Sequence, residues 1–249
     1  MSEPTVAPAA PSSGEARGPG VPAALSREDQ RAALLVWLVV VDAVVLTGNV
    51  LHSLAPGSGL LTDREAWNGN TDGSYAEMLG HAQLLLAVAI LAVLWRRRGG
   101  AIYGAWALLL AVVVADDFLR IHETAGSWAA VTFGLPGPGG LRAQDVGELG
   151  VWAALGLVLG SVVVVAHLRS PDHRDVTWTL ARLLLVLAAF AVVVDMMGSA
   201  VARFLEFSAL RMTTFLETTG ELGAMSLILL GVHQMMLRPT APPGSTNQV

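Results

Sequence analysis

The stretch from residue 116 to 123 combines side chains that could bind a metal or move protons. Five of its eight residues are ionisable, namely Asp116, Asp117, Arg120, His122 and Glu123. The stretch directly follows an apolar run, residues 105–115. Ionisable groups are costly in hydrocarbon, so within a membrane helix they normally face a protein interior or a watery cavity and mark function. The stretch therefore predicts a polar site beside an apolar helix.

Further acids and histidines are spaced so that two side chains share one helical face. The pairs, three or four residues apart, are Glu77 with His81, Asp145 with Glu148, and Glu217 with Glu221. Residues at this spacing are neighbours on a helix surface. Asp42 and Asp195 stand alone within apolar runs. An isolated acid deep in an apolar helix seldom lacks a role.

The composition is that of a membrane protein. Of 249 residues, 53% are hydrophobic and only 14% charged, with a net charge of −5, whereas soluble domains average about 25% charged residues. The acidic balance gives no reason to expect nucleic acid as a partner. Cysteine is absent, which excludes disulfides and thiolate metal ligands. All 15 basic residues are arginine, which we interpret as codon bias in a bacterial source.

The apolar runs predict an all-α, polytopic six-helix bundle, residues 30–237. Each run is long enough to cross a hydrocarbon core of about 30 Å. Polar tails that we expect to be disordered flank the bundle at residues 1–29 and 238–249. A Gly/Pro-rich loop is expected after the third span. The predicted spans are 31–53, 76–95, 101–124, 143–168, 177–206 and 211–237.

The arginines predict the orientation of the bundle. With both termini in the cytoplasm, nine arginines lie at the inner side and four at the outer side. Arginine is enriched on cytoplasmic loops, so both termini are predicted to be cytoplasmic. We expect the protein to be a multi-pass protein of the plasma membrane, with the lipid bilayer as its first partner.

This orientation sends acids from five of the six helices to the outer half of the bilayer. Four acids lie deepest, roughly ten residues or about 15 Å from the outer helix ends. They are Asp42, Asp116, Asp195 and Glu221. The other acids and the histidines His81 and His122 lie higher. The pattern predicts a funnel of polar groups above an acidic floor.

Structural explanations exist for some of these residues. Arg120 could neutralise Asp116 and Glu123, and Asp145 could cap the fourth helix. One arginine cannot offset all the acids, however, and an unpaired buried acid must be protonated or bind a cation. We therefore take as candidate catalytic residues Asp116, Glu123, Glu148, Asp195, Glu217 and Glu221. The candidate metal ligands are His81, His122, Asp116, Glu148, Glu217 and Glu221. Arg120 is the candidate for positioning a substrate.

One hypothesis is a membrane-embedded, metal-dependent hydrolase or related enzyme acting on a small or lipid-like substrate. Carboxylates and histidines on neighbouring helices hold metals inside helix bundles. A site with few histidines and many acids favours iron, manganese or magnesium over zinc. The outline of six helices with acids and histidines at the outer end resembles that of ceramidase-type intramembrane hydrolases. The resemblance is one of layout only, because Glu217 and Glu221 stand where those enzymes carry paired histidines.

The alternative hypothesis is a proton- or cation-coupled transporter, or an ion-binding membrane protein. Its coupling groups would be the deep acids Asp42, Asp116, Asp195 and Glu221. The acids all lie toward the outer side of the membrane, and the sequence contains no visible inverted repeat. Both observations disfavour a transporter. A receptor or assembly subunit with an outer ligand pocket is a third reading. The sequence leaves open whether the protein is an enzyme, as well as its substrate, its metal and its oligomeric state.

Overall fold

The computed structural model describes residues 25–54, 61, 65–69, 71–201 and 207–239, and gives only the backbone of residues 195, 199, 201 and 207–211. The described part of the chain is all-α. Its main helices are α1 (Arg27–Leu54), α2 (Tyr75–Arg98), α3 (Ala101–Phe118), α4 (Ile121–Phe133), α5 (Ala143–Leu168), α6 (Arg174–Ala188), α7 (Asp195–Val201) and α8 (Phe207–Leu237). A π-helical segment, Ala189–Val194, joins α6 to α7 without a break, so these three form one helix and the total is seven. Residues 1–24 and 240–249, which hold most of the two predicted tails, lie outside the described residues.

Within the described residues, six helices are long and apolar enough to cross a membrane, which confirms the predicted number of candidate spans. The candidate spans are Arg27–Leu54, Tyr75–Arg98, Ala101–Phe118, Ala143–Leu168, Pro171–Gly198 and Met212–Leu237. The first helix begins four residues before the predicted start. Ser26 explains the earlier start, because its hydroxyl accepts a hydrogen bond from the Asp29 N–H and its own N–H donates to the Asp29 carboxylate. This reciprocal pairing satisfies two free donors at a helix start.

The predicted third span, 101–124, is wrong as a single helix. The α3 helix ends at Phe118, and Arg120 adopts a left-handed conformation with φ 53° and ψ 42°. A left-handed residue cannot continue a right-handed helix. The chain then enters a second helix, α4, where the sequence had predicted a loop. Arginine is an unusual residue in this conformation, which glycine or asparagine commonly adopts.

Two glycines let α4 and α5 pack with their backbones in contact. A Cβ atom on Gly147 would fall onto the carbonyl oxygen of Gly126, and one on Gly126 would lie 2.6 Å from the backbone nitrogen of Glu148. Small residues permit this approach between helices in membranes. The contact places Glu123, one turn before Gly126, beside the start of α5.

The buried core lies between α2, α3 and α8. Large apolar side chains from all three are almost completely buried, including Leu84, Leu91, Ile102, Leu110 and Ile228. The outer faces of the bundle carry exposed apolar side chains, as on α1, where Trp37 is 55% exposed. In a soluble protein such a surface would be unfavourable, whereas lipid covers it in a membrane.

The first helix is attached to the core by a polar contact. Its Asp42 accepts hydrogen bonds from the side-chain amide of Gln83 on α2 at 2.9 Å and from the hydroxyl of Ser226 on α8 at 2.6 Å. Polar side chains that bond across helices hold membrane bundles together. Asp42 therefore has a structural role in joining three helices.

A covering segment before α2, described at residues 65–69 and 71–74, lies over one end of the bundle. The ring of Trp67 lies against Gly48 of α1, and Gly69 lies close to Asn49 and to Thr218 of α8. At this same end, α3 gives way to α4. The covering segment thus contributes to the wall of a cavity between the helices.

Candidate functional site: an acid-lined cavity

A cavity of about 550 Å³ lies between α2, α3, α4, α5, α6, the π segment and α8. One part of its wall is apolar and includes Leu84, Val113, Leu187, Ala191 and Met225. The other part is polar. Its acids and histidines are Asp72, Glu77, His81, Asp117, His122, Glu123, Glu148, Glu217 and Glu221. The sequence-predicted residues His81, His122, Glu123, Glu148, Glu217 and Glu221 are thus brought to one cavity.

The start of α2 fixes the position of Glu77. Ser74 caps the helix by accepting a hydrogen bond from the Glu77 N–H at 3.3 Å, and Gly73 donates its N–H to Glu77 Oε2 at 2.7 Å. This arrangement is a variant of the capping box. It occupies one carboxylate oxygen and directs the other, Oε1, to within 4.0 Å of Nδ1 of His81. Helix capping therefore explains the position of Glu77 but does not involve Oε1, the oxygen that faces His81.

His81 is the most informative residue of the cavity. It is only 3% exposed, its Nε2 lies 2.7 Å from Oδ2 of Asp117, and its Nδ1 has no hydrogen-bond partner in the described part of the chain. A buried polar atom without a partner is rare and calls for an explanation such as an ion. Ligand atoms of Glu77, His81 and Asp117 all lie within 4.8 Å of one another, so the group could hold a metal.

His122 is held by a carboxylate of its own. Its Nδ1 lies 2.8 Å from Oδ2 of Asp116, which is only 1% exposed, and its ring lies 5.2 Å from that of Trp152. An ionised carboxylate can only accept a hydrogen bond, so an ionised Asp116 would leave Nε2 of His122 as the free acceptor. Asp116 is not among the described residues that line the cavity. It lies behind His122 and orients it.

The neighbouring acids Asp116 and Asp117 therefore contact histidines on two different helices. Successive residues of an α-helix point about 100° apart. Asp117 faces His81 on α2, and Asp116 faces His122 on α4. Sequence reasoning favoured Asp116 as a ligand and missed Asp117 and Glu77. The signal for Glu77 was its spacing from His81, whereas nothing in the sequence shows which of two adjacent acids faces which helix.

The remaining acids come from α4, α5 and α8. Glu148 accepts a hydrogen bond from the Gln144 side-chain amide at 2.6 Å. Glu217 and Glu221 line the cavity one turn apart, and between them the ring of Phe190 from the π segment covers Gly220. π segments in α-helices often lie at functional sites. Asp195 begins α7, and its side chain lies outside what the structure describes.

Two arginines near the cavity, among the described residues, are each bonded to an acid. Arg120 forms an ion pair with Asp72 and is not among the described lining residues. Arg142 lines the cavity, and its guanidinium donates to Asp145 at 2.6 Å. Asp145 also accepts from the Arg142 N–H at 2.7 Å, which is the helix cap that the sequence suggested. In this structure Arg120 is thus paired with Asp72 of the covering segment.

In the described part of the chain, six helices are apolar enough to cross a membrane, and five of them line a polar cavity. They suggest a multi-pass membrane protein, with a Glu77/His81/Asp117 group that could hold a metal. The chain belongs to the family described as "Domain of unknown function (DUF8692)", whose model matches residues 32–235. The match therefore covers nearly all of the helical region. No curated protein and no solved structure matches the chain.

Proposed function

We propose that this protein is a metal-dependent enzyme embedded in the plasma membrane, which hydrolyses an ester or amide bond of a lipid-like substrate. The observation that carries the proposal is the buried His81, whose Nδ1 lacks a partner and lies within 4.0 Å of a Glu77 oxygen. That separation is too long for a hydrogen bond. It suits two ligands of one ion, since metal bonds to nitrogen and carboxylate oxygen are about 2.0–2.2 Å long.

Glu77, His81 and Asp117 would form the metal site. The set contains one nitrogen and two carboxylates, which favours iron, manganese or magnesium over zinc. Because the unpartnered Nδ1 is the nitrogen that faces Glu77, Asp117 would accept a hydrogen bond from Nε2 and fix the ring, as carboxylates commonly do behind metal-bound histidines. A bound divalent metal lowers the pKa of a coordinated water and polarises a carbonyl group.

Other residues of the chain support a reaction in this cavity. His122, oriented by Asp116, presents a nitrogen that can accept a proton. The apolar part of the wall suits an acyl chain. The arginine distribution supports an orientation with the acid-lined end of the bundle at the outer leaflet and both termini in the cytoplasm. Glu123, Glu148, Glu217 and Glu221 are further candidates for proton transfer or binding.

Transport is the second candidate function. Of its proposed coupling acids, Glu221 lines the cavity, whereas Asp42 is bonded to Gln83 and Ser226 and has a structural explanation. Uptake of a cation or protons into proteoliposomes, abolished by Glu221→Gln, would favour transport over hydrolysis.

Metal content is the first test. We expect protein purified without chelators to carry about one divalent metal per chain, because the described part of the chain contains one group that could hold a metal. Glu77→Gln and His81→Gln should remove it, whereas His52→Gln, which changes a histidine away from the cavity lining, should not. Absence of metal, or metal that persists in His81→Gln, would overturn the proposed site.

Turnover is the second test. Reconstituted metal-loaded protein should release fatty acid from a labelled lipid extract, and a chelator or His81→Gln should stop the release. Metal-loaded protein that releases nothing from ester- and amide-linked lipids would rule out the hydrolase and leave the metal site.

A further inference from the structure

The wall of the cavity formed by α4 and α5 carries acids that the metal group does not use. Glu123 and Glu148 both line the cavity. Within the described chain, neither has an arginine or histidine at ion-pair distance, and Glu148 is bonded only to the neutral amide of Gln144. A divalent ion between Glu77, His81 and Asp117 would leave these two charges uncompensated.

An aromatic ring lines the cavity together with the two acids. Trp152 lies four residues after Glu148 on α5 and therefore on the same helical face. It lines the cavity, and its ring is in contact with that of His122. An indole beside carboxylates attracts ammonium groups through both charge and the ring quadrupole. Glu123, Glu148 and Trp152 thus form an arrangement that suits a cationic group.

The close packing of α4 against α5 fixes the positions of Glu123 and Glu148 relative to each other. Gly126 and Gly147 bring the two backbones into contact, so that a Cβ on Gly126 would lie 2.6 Å from Cγ of Glu148. The buried His81, whose Nδ1 has no partner in the described part of the chain, lines the same cavity. Residues of α6 and the π segment contribute an apolar surface to it, namely Leu184, Leu187, Ala188, Ala191 and Val192.

We propose that the cavity binds an amphiphile whose cationic ammonium group lies between Glu123, Glu148 and Trp152 and whose apolar chain lies against α6 and the π segment. A volume of about 550 Å³ falls within the range of pockets that enclose small ligands. The inference names the substrate class of the proposed enzyme, and in that respect rests on it. Binding itself does not require the metal.

Three probes with the same eight-carbon chain test the proposal, namely octylammonium, octyl phosphate and the neutral octyl glucoside. Binding to the full chain in nonionic detergent is followed by tryptophan fluorescence, with Trp152→Phe identifying the part of the signal that comes from the cavity. We expect octylammonium to bind about tenfold or more tightly than the other two, as an ammonium ion between carboxylates and an aromatic face should.

Variants of the two acids test whether Glu123 and Glu148 cause the preference for octylammonium. Glu123→Gln and Glu148→Gln should each weaken octylammonium binding severalfold and leave octyl glucoside binding unchanged. Glu28→Gln, an equal change of charge on an exposed residue of α1, is the matched control. Size-exclusion profiles and melting temperatures confirm that each variant is folded. Equal affinity for the three probes, or a preference that survives both cavity variants, would overturn the proposal.

The metal content of the same samples separates this inference from the proposed enzyme. Tight metal binding that depends on His81, together with equal binding of the three probes, would refute the ammonium site and leave the metal site intact. Preference for octylammonium in protein that binds no metal would refute the enzyme and support the ammonium site.

Discussion

Asp117 on α3 and His81 on α2 join two helices through a contact of 2.7 Å between Oδ2 and Nε2. Since Nδ1 on the other side of the ring has no described partner, Asp117 is in the position of a residue that orients a metal-binding histidine. We expect Asp117→Asn to lower metal affinity about 10–100-fold, as loss of such partners does elsewhere. Competition against a chelator of known affinity measures the change. A loss as complete as that in His81→Gln would instead identify Asp117 as a direct ligand.

The crossing of α4 and α5 predicts opposite effects for the same substitution at two glycines. Gly147→Ala would force a methyl group onto the Gly126 carbonyl and should destabilise the fold by about 1–3 kcal/mol. Gly150→Ala, three residues later on α5, meets no atom within 4 Å and should be neutral or stabilising by up to about 1 kcal/mol. Reversible unfolding in detergent micelles compares them, and equal effects would contradict the close contact.

The left-handed backbone at Arg120 predicts that glycine is better than alanine there. Both substitutions remove the exposed ion pair with Asp72, which contributes about 0–1 kcal/mol. Only alanine keeps the steric cost of the left-handed conformation, about 1–2 kcal/mol. Arg120→Gly should therefore be more stable than Arg120→Ala by roughly that cost. Equal midpoints of thermal unfolding would indicate that α3 continues through this position.

The contact between Asp42 and Ser226 predicts a measurable coupling between α1 and α8. In a double-mutant cycle of Asp42→Ala and Ser226→Ala, we expect an interaction energy of about 0.5–3 kcal/mol. Ser161→Ala is the matched control, because the Ser161 hydroxyl bonds only to Leu157 of its own helix. Its effect should add to that of Asp42→Ala. Additivity for Ser226→Ala as well would refute the contact.

The six spans could be predicted from the sequence because length and hydropathy alone identify helices that suit a bilayer. The break at Arg120 could not be predicted, because arginine gives no turn signal and the apolar pattern continues through α4. The convergence of His81, His122, Glu148 and Glu217 followed from placing each at the same end of its helix. The pairing of Asp116 with His122 depends on how two helices rotate about their axes, which spacing within one helix does not determine.

The π segment at Ala189–Val194 has a consequence for the register of the fifth span. A π turn takes up about one residue more than an α turn, and each residue advances an α-helix by about 100°. The backbones of α6 and α7 are therefore out of phase with each other along a single continuous axis. Deleting one residue between Ala189 and Val194 would restore an ordinary helix and rotate α7 by roughly that angle relative to α6. A chain one residue shorter here would retain its hydropathy and its span, yet present a different face of α7 to α8.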